Sequence, residues 1–332
     1  MSITITTGGI TMTGGGVSFT APPPSTPTAT AGWFGAGQIG APSFAYVSRV
    51  DRITYATDTA TASVRGPLSL VRNNLAGTSN DNYGWFGGGN PNGPGYYSTV
   101  DRITYATDTA TASVRGPLSF ARKNLAATGN TTDGWFGGGI DGGGDSSAVT
   151  RITYATDTAT SSTRGQLSNV LYHLAASGNV TDGWFGGGNY FGPLFSTVDR
   201  ITYATDTATA SVRGPLSLAR SQLSSTTDIT TYSWFAGGGV AGPAGLTSLI
   251  DRITYATDTA TATVRGPLNG IIRGASASTD YTTYGWIAGG YDGSVMYSTI
   301  QRITYATDTA TAGIRGPLSA ATGYFGATSG VQ

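Results

Sequence analysis

The chain has 332 residues, of which 51 are glycine and 11% are charged. Its formal net charge is zero, which excludes the strongly basic surface of a typical nucleic-acid-binding protein. It contains no cysteine, so neither disulfide bonds nor a cysteine-ligated metal site is expected.

Residues 1–30 precede the repeat region of the chain, and we predict that they form an arm and spacer separate from residues 31–332. Two short alternating apolar stretches are followed by the run Pro22-Pro23-Pro24, which is typical of a stiff spacer. The segment is either a frayed tail or an anchoring arm that adds a strand to a partner. The candidate anchoring residues are Ile3, Ile5, Ile10 and Met12. We expect neither a secretory signal nor membrane insertion, because no basic start or long apolar run is present.

A repeat of about 50 residues organises the rest of the chain. The string Arg-Ile-Thr-Tyr-Ala-Thr-Asp-Thr-Ala-Thr occurs six times without change, at intervals of 50, 49, 49, 52 and 50 residues. A tryptophan recurs before each copy, and Arg-Gly-Pro-Leu, or Arg-Gly-Gln-Leu once, recurs after it. A fixed period of this length predicts a repeat architecture. The strings begin at Arg52, Arg102, Arg151, Arg200, Arg252 and Arg302.

Each repeat predicts four short strands, named a to d in chain order. In one unit we expect strand a over 120–128, strand b at Trp135 and Phe136, strand c over 148–154 and strand d over 158–163. Strand b is apolar on both faces, as a strand between two neighbours requires, whereas strand d alternates small apolar and polar residues. Four strands in about 50 residues is the size of a propeller blade. The sequence therefore predicts an all-β fold, a six-bladed β-propeller.

The repeat resembles the kelch family over residues 31–330. A kelch unit has an apolar strand that ends in Gly-Gly, a strand bearing a tyrosine, a further strand, and an arginine some residues later. The first two features resemble residues 136–138 and Tyr154, although strand d lacks the usual kelch tryptophan. The resemblance implies a kelch-like propeller. The arginine position is matched by Arg72, Arg122, Arg220 and Arg273, with Tyr172 and Thr322 there in the other two units.

The chain enters its first repeat at strand b, near Trp33, so blade one needs a strand a from elsewhere. Residues 317–330 align without gaps with residues 117–130. We predict that this C-terminal strand completes blade one and closes the ring, which removes an open edge. The alternative is that Tyr324 and Phe325 form strand b of a seventh blade.

The repeated charged residues are interpreted as structural. An aspartate in each turn between strands c and d can hydrogen-bond to the amides of that turn. Together with Asp81, Asp133, Asp182, Asp228 and Asp280 of the turns between strands a and b, these aspartates predict an acidic rim. Identical turns do not supply the two different environments that a catalytic carboxylate pair needs. His173, the only histidine, is expected in the core or the channel. We therefore predict no catalytic residues, metal or cofactor. The turn aspartates are Asp58, Asp108, Asp157, Asp206, Asp258 and Asp308.

The loops between strands b and c differ from unit to unit, and strand connectivity puts all six on one rim. Aromatic residues on glycine-rich loops favour recognition, although unconstrained drift of exposed loops would give the same variation. The candidate binding residues are Phe44, Tyr46, Tyr96, Tyr97, Tyr190, Phe191, Phe195, Tyr291 and Tyr297.

These features predict a non-enzymatic binding or structural module. The near-identical repeats are similar to those of proteins predicted as structural components of marine tailed phages. That resemblance implies a virion appendage or adhesion protein, anchored to other virion proteins through residues 1–30 and facing a host cell-surface glycan or protein. The alternatives are an intracellular kelch scaffold that binds a protein, and a carbohydrate-active enzyme, which the single histidine and the absence of glutamate disfavour.

Overall fold

The structure, a computed structural model, describes residues 10–13, 16–19, 28–40, 44–242 and 245–332. The fold is all-β, and within these ranges six sheets have four strands each while the only helices are single 3₁₀ turns. Each four-stranded sheet has the order a-b-c-d, with consecutive strands paired antiparallel. This arrangement is consistent with a β-propeller.

The sheets are numbered 1 to 6 in the chain order of their b strands, and each set of strands runs from sheet 1 to sheet 6. The a strands are Gly326–Gly330, Ala76–Ser79, Ala126–Gly129, Ala175–Gly178, Ser224–Thr227 and Ser276–Thr279. The b strands are Ala31–Gly35, Tyr83–Gly87, Asp133–Gly137, Asp182–Gly186, Tyr232–Ala236 and Tyr284–Ala288. The c strands are Val50–Thr54, Val100–Thr104, Ala148–Thr153, Val198–Thr202, Ile250–Thr254 and Ile300–Thr304. The d strands are Ser63–Arg65, Ser113–Arg115, Ser162–Gln166, Ser211–Arg213, Thr263–Arg265 and Gly313–Ile314.

Several shorter elements accompany these strands. A 3₁₀ turn follows each c strand, at Tyr55–Thr57, Tyr105–Thr107, Tyr154–Thr156, Tyr203–Thr205, Tyr255–Thr257 and Tyr305–Thr307. Two hairpins pair Ile10–Thr13 with Gly16–Phe19 and Gln38–Ile39 with Ala45–Tyr46. A small sheet is formed by Arg122–Lys123, Ile140–Asp141 and Gly144–Asp145.

Strand d begins later than the sequence pattern predicted. In sheet 3 it covers Ser162–Gln166 rather than 158–163, because a turn closed by a 3.0 Å hydrogen bond from Ala159 N–H to Thr156 O comes first. Strand a is also shorter than predicted and covers Ala126–Gly129. The 3₁₀ turn and the turn after it therefore occupy most of the repeated string.

Sheet 1 joins the two ends of the repeat region. The C-terminal strand Gly326–Gly330 pairs antiparallel with Ala31–Gly35, and Ala327 lies opposite Phe34. It is therefore strand a of sheet 1, and Tyr324 and Phe325 precede it instead of forming a b strand.

The same set of side-chain contacts recurs between each described sheet and the next. The Trp135 indole N–H of sheet 3 donates to Asp206 Oδ2 of sheet 4 at 2.8 Å, and its ring stacks on Tyr203 with 3.9 Å between centroids. Arg151 Nη1 donates to the same oxygen at 3.1 Å, and Arg164 Nε lies 3.4 Å from it. One carboxylate thus satisfies a buried indole and pairs with two guanidinium groups. In the described chain the equivalent pairs are Trp33–Asp108, Trp85–Asp157, Trp184–Asp258, Trp234–Asp308 and Trp286–Asp58.

The turn aspartates therefore act between sheets, which corrects the interpretation that they cap their own turns. Their Oδ2 atoms face the tryptophan and arginines of the preceding sheet. The six residues are only 5–8% exposed, so they contribute little to the predicted acidic rim.

The glycine of each Arg-Gly-Pro-Leu segment lies against the backbone of the next sheet. A Cβ atom on Gly116 would lie 2.0 Å from the carbonyl oxygen of Ala159. The Gly116 N–H donates to the Asp157 carbonyl at 2.8 Å, and Ser161 N–H donates to Pro117 O at 2.9 Å. Only glycine allows this approach of two backbones.

A fully buried arginine precedes strand a in three of the described sheets. Arg72, Arg122 and Arg220 are 0% exposed and donate to the carbonyl of the penultimate residue of strand b. Arg72 and Arg220 also pair with Asp101 and Asp251, at 2.9 and 3.1 Å. Arg122 instead donates to Thr150 Oγ1 at 2.6 Å, and its burial lowers its pKa to about 10.

The predicted match of Arg273 and Tyr172 to this position is wrong by one residue. Ile272 and Leu171 occupy it, since each lies four residues after the leucine that follows the repeated Arg-Gly. Their carbonyls accept the backbone hydrogen bond that the Arg122 carbonyl accepts from Gly89. Thr322 occupies the position in sheet 1, as predicted.

Candidate binding site

The a strands surround a central channel. Each contacts the a strands of the two neighbouring sheets, including Gly326–Gly330, which contacts both Ala76–Ser79 and Ser276–Thr279. Residues of all six described a strands line the cavity between them.

Six equivalent residues encircle one mouth of this channel, two positions before the start of each a strand. Their φ angles lie between 55° and 62°, which is uncommon for residues other than glycine. Each N–H donates to the carbonyl of the equivalent residue in the preceding sheet at 2.7–2.9 Å, and Asn74 N–H to Tyr324 O completes the cycle. This backbone cycle holds the strained conformation. The six residues, which we call the mouth ring, are Asn74, Asn124, His173, Gln222, Gly274 and Tyr324.

A cavity of about 370 Å³, the mouth cavity, lies against this ring. Its wall is held by backbone bridges between the loop after strand b and the residue before the mouth ring, such as Asn73 with Asn90 and Arg273 with Tyr291. The volume falls in the range of small-molecule sites. The lining residues are Gln38, Phe44, Tyr46, Asn73, Asn74, Asn90, Lys123, His173, Gln222, Arg273, Tyr291 and Tyr324.

Carboxamide groups cover one side of the mouth cavity. Asn73 Nδ2 donates to Gln38 Oε1 at 2.8 Å, and Asn74 Nδ2 donates to Asn73 Oδ1 at 3.0 Å. Asn90 Nδ2 lies 3.4 Å from the Tyr46 hydroxyl. These contacts fix the side chains while leaving several amide donors and acceptors for a ligand.

The charged side chains of the mouth cavity are both basic. Lys123 Nζ lies 5.3 Å from the centre of the Tyr96 ring, and the Arg273 guanidinium lies 5.4 Å from the centre of the Tyr291 ring. Burial, with a further contribution from both cations, lowers the pKa of His173 to about 4. His173 is therefore neutral at pH 7, and the cavity carries two positive charges and no lining carboxylate.

Three of the predicted aromatic residues, Phe44, Tyr46 and Tyr291, line the mouth cavity. Phe44 is 42% exposed, and its ring meets that of Tyr291 edge to face with 6.0 Å between centroids. These rings give the cavity a partly apolar wall beside the amides.

The other predicted aromatic residues lie outside that lining. Tyr190 and Phe191 pack edge to face, 4.6 Å between centroids, and Phe191 is 76% exposed. The Tyr297 hydroxyl donates to Asp292 Oδ2 at 2.7 Å, which ties it to its own loop. The half-buried members of this group are Tyr96, Tyr97, Phe195 and Tyr297.

Sequence reasoning missed the polar residues of the mouth cavity. Neither Lys123 nor Gln222 was proposed as a site residue, and Arg273 was matched to the kelch arginine position. One signal was available in the sequence. The sixth residue after the leucine of each Arg-Gly-Pro-Leu or Arg-Gly-Gln-Leu segment is, in chain order, Asn, Asn, His, Gln, Gly and Tyr.

The opposite mouth of the channel is lined by hydroxyl groups and narrowed by one side chain. The turns between strands a and b are one residue longer in sheets 5 and 6 than in sheets 2 to 4. The added residues, Ile229 and Tyr281, have φ angles of 61° and 69° and line the cavity there. Tyr281 lies 3.5 Å from Ser79 Oγ across the channel.

Of the predicted anchoring residues, Ile10 and Met12 lie in the strand Ile10–Thr13, which pairs with Gly16–Phe19. Ile3 and Ile5 lie outside the described residues.

No protein-family model matches the chain, and no curated protein matches it significantly. Within the described ranges there is no group of three or more histidine or acidic side chains placed to hold a metal ion. The part of the chain that the structure describes contains no helix suited to crossing a membrane.

Proposed function

We propose that the chain is a non-catalytic binding module built on a six-bladed, kelch-like β-propeller. Three observations support six blades in a closed ring. They are the four-stranded sheets themselves, the Trp–Asp contact that also joins sheet 6 to sheet 1, and the hydrogen-bond cycle of the mouth ring.

The observation that carries a binding role is the contrast between the sheet junctions and the mouth cavity. The junctions use the same tryptophan, tyrosine, arginine and aspartate each time, whereas the mouth cavity gathers amides, aromatic rings and two cations that the repeat does not dictate. A concave, mixed polar and aromatic site on a rigid scaffold favours recognition of a ligand. In this proposal the mouth cavity is the centre of the predicted loop rim.

We place the module on a tailed-phage virion, as an appendage that residues 1–30 anchor to other virion proteins and that faces a host cell-surface glycan or protein. This part of the proposal rests on the similarity of the tandem repeats to proteins predicted as phage structural components. Mass spectrometry of purified particles should detect the chain, and deletion of residues 1–24 should abolish incorporation without changing thermal melting. Incorporation of the deleted chain at the wild-type level would rule out the anchoring arm.

Binding itself is tested on immobilised glycans with two matched aromatic variants. Tyr291→Ala removes a ring from the mouth cavity, whereas Phe191→Ala removes a more exposed ring that does not line it. We expect wild type and Phe191→Ala to retain the same glycans and Tyr291→Ala to lose them. Equal binding by both variants would move the site away from the mouth cavity.

A further inference from the structure

Lys123 and Arg273 stand apart from the other cations of this protein. Every other arginine takes part in an ion pair or, at Arg122, lies buried against carbonyl oxygens and a threonine hydroxyl. Lys123 and Arg273 form no ion pair with any described residue, yet both are half-buried and line one cavity. Two half-buried cations without a counter-charge favour an anionic ligand.

Lys123 and Arg273 line the same cavity because they occupy the same position of the repeat. Arg273 lies one residue beyond the buried position that Ile272 fills, so it belongs to the segment that bridges to Tyr291. Lys123 holds the equivalent place after Arg122 and pairs with Ile140. Both side chains are thus presented by the same structural position in two different sheets.

The uncharged groups of the cavity suit a sugar. Asparagine and glutamine amides offer a donor and an acceptor side by side, as neighbouring sugar hydroxyls require. Phe44, Tyr46 and Tyr291 supply aromatic surface against which an apolar sugar face can pack.

We propose that the mouth cavity binds a saccharide bearing an acidic group, and that Lys123 and Arg273 hold that group while the amides and aromatic rings hold the sugar. This inference rests on the proposed binding function and names its ligand class. The anionic group is a carboxylate or a sulfate, because either accepts charge-assisted hydrogen bonds from both cations.

Lys123 is the only lysine of the chain, which gives a direct test. Acylation of the native protein by an amine-specific reagent, followed by mass spectrometry, reports on Lys123 and on the N-terminal amine as an internal control. The probes are matched pairs, 3′-sialyllactose with lactose and methyl glucuronide with methyl glucoside. We expect a saturating acidic saccharide to slow acylation of Lys123 about fivefold or more and to leave the acylation rate of the N-terminal amine unchanged. The neutral saccharide of each pair should slow acylation of neither amine.

Calorimetry on the same pairs measures the role of each cation. Lys123→Gln and Arg273→Gln should each weaken binding of the acidic saccharide about 10-fold, the cost of losing a hydrogen bond to a charged group. Lys123→Arg should retain most of the affinity, and Val114→Ala, which changes an exposed side chain on strand d of sheet 2, should bind as wild type.

The outcomes separate this inference from the function on which it rests. Equal protection by acidic and neutral saccharides would overturn recognition of the acid while leaving a glycan-binding cavity. The binding site would lie elsewhere if acidic saccharides bind without slowing acylation of Lys123 and bind Lys123→Gln and Arg273→Gln as tightly as wild type. If the protein binds a protein or peptide but no saccharide, the proposed ligand class is wrong. If it binds no ligand at all, the proposed binding function is wrong as well.

Discussion

Replacing Asp206 by alanine tests how the sheets are held together. The change removes the acceptor of the Trp135 indole N–H and the counter-charge of Arg151 and Arg164. Breaking a buried charge pair by removing one partner costs about 3–5 kcal/mol. Because the two arginine side chains keep 25% and 20% of their surface exposed, water compensates in part, and we expect a loss of about 3 kcal/mol.

Urea unfolding of the purified protein measures this loss as a shift of the midpoint at constant slope. Asp81→Ala is the matched control, since Asp81 is exposed and takes part in no ion pair with a described residue, and its stability should change by less than about 0.5 kcal/mol. A double-mutant cycle of Asp206→Asn with Trp135→Phe isolates the coupling between the two side chains. If Asp206→Ala costs less than about 1 kcal/mol, the carboxylate does not fasten the sheets.

The same change at Asp58 tests closure of the ring. Asp58 accepts from Trp286 and pairs with Arg302 and Arg315, which are close to the C-terminus in the sequence. If sheets 1 and 6 meet as the other neighbours do, Asp58→Ala and Asp206→Ala should cost the same within about 0.5 kcal/mol. A much smaller cost at Asp58 would show that this junction is open in solution.

Gly116→Ala should destabilise the protein by more than about 2 kcal/mol, because its Cβ would meet the Ala159 carbonyl at 2.0 Å. Gly142→Ala is the control, since nothing lies within 4 Å of the added Cβ, and equal urea midpoints for both variants would contradict the contact. Deleting residues 317–332 should cause aggregation or non-cooperative unfolding, because it removes strand a of sheet 1 and leaves one edge of strand b unpaired; a monomer that melts as wild type would show otherwise. Since the pKa of His173 is lowered to about 4, its neutral form stabilises the fold fully above pH 6.5, and this contribution is lost as the pH falls, up to about 2 kcal/mol at pH 5. His173→Asn should therefore lose less stability than wild type between pH 7.5 and pH 5, and identical losses would contradict burial of the imidazole.

The repeat allowed the number and order of the strands in each sheet, and the pairing of the C-terminal strand, to be predicted, because these follow from patterns within a unit and from one gap-free alignment. The role of the turn aspartates was not accessible in this way. A turn residue can bond to its own turn or to a neighbour, and only the placement of the next sheet decides. The Trp135 indole and the Asp206 carboxylate are 71 residues apart, and no local pattern links them.

The error at Arg273 has a different origin. The prediction matched residue type and did not count the distance from the leucine that follows the repeated Arg-Gly. The arginine before strand a of sheet 6 lies five residues after that leucine, whereas the buried arginines lie four residues after theirs. Counting from the repeat leucine places Ile272 in the core, where an apolar side chain replaces the buried arginine of other units. It also moves Arg273 into the mouth cavity, so the correction of one register changes the predicted charge of the site.

The mouth ring explains how such different side chains are tolerated at one position. Its hydrogen bonds join backbone N–H and carbonyl groups, so asparagine, histidine, glutamine, glycine and tyrosine all close the same cycle. The Trp–Asp junctions, which depend on specific side chains, are the same in all six described sheets, whereas the mouth ring, which is held by its backbone, differs from sheet to sheet. The side chains at the mouth can therefore be changed without loss of the scaffold, which is the property that a repeat protein needs at the place where it recognises a ligand.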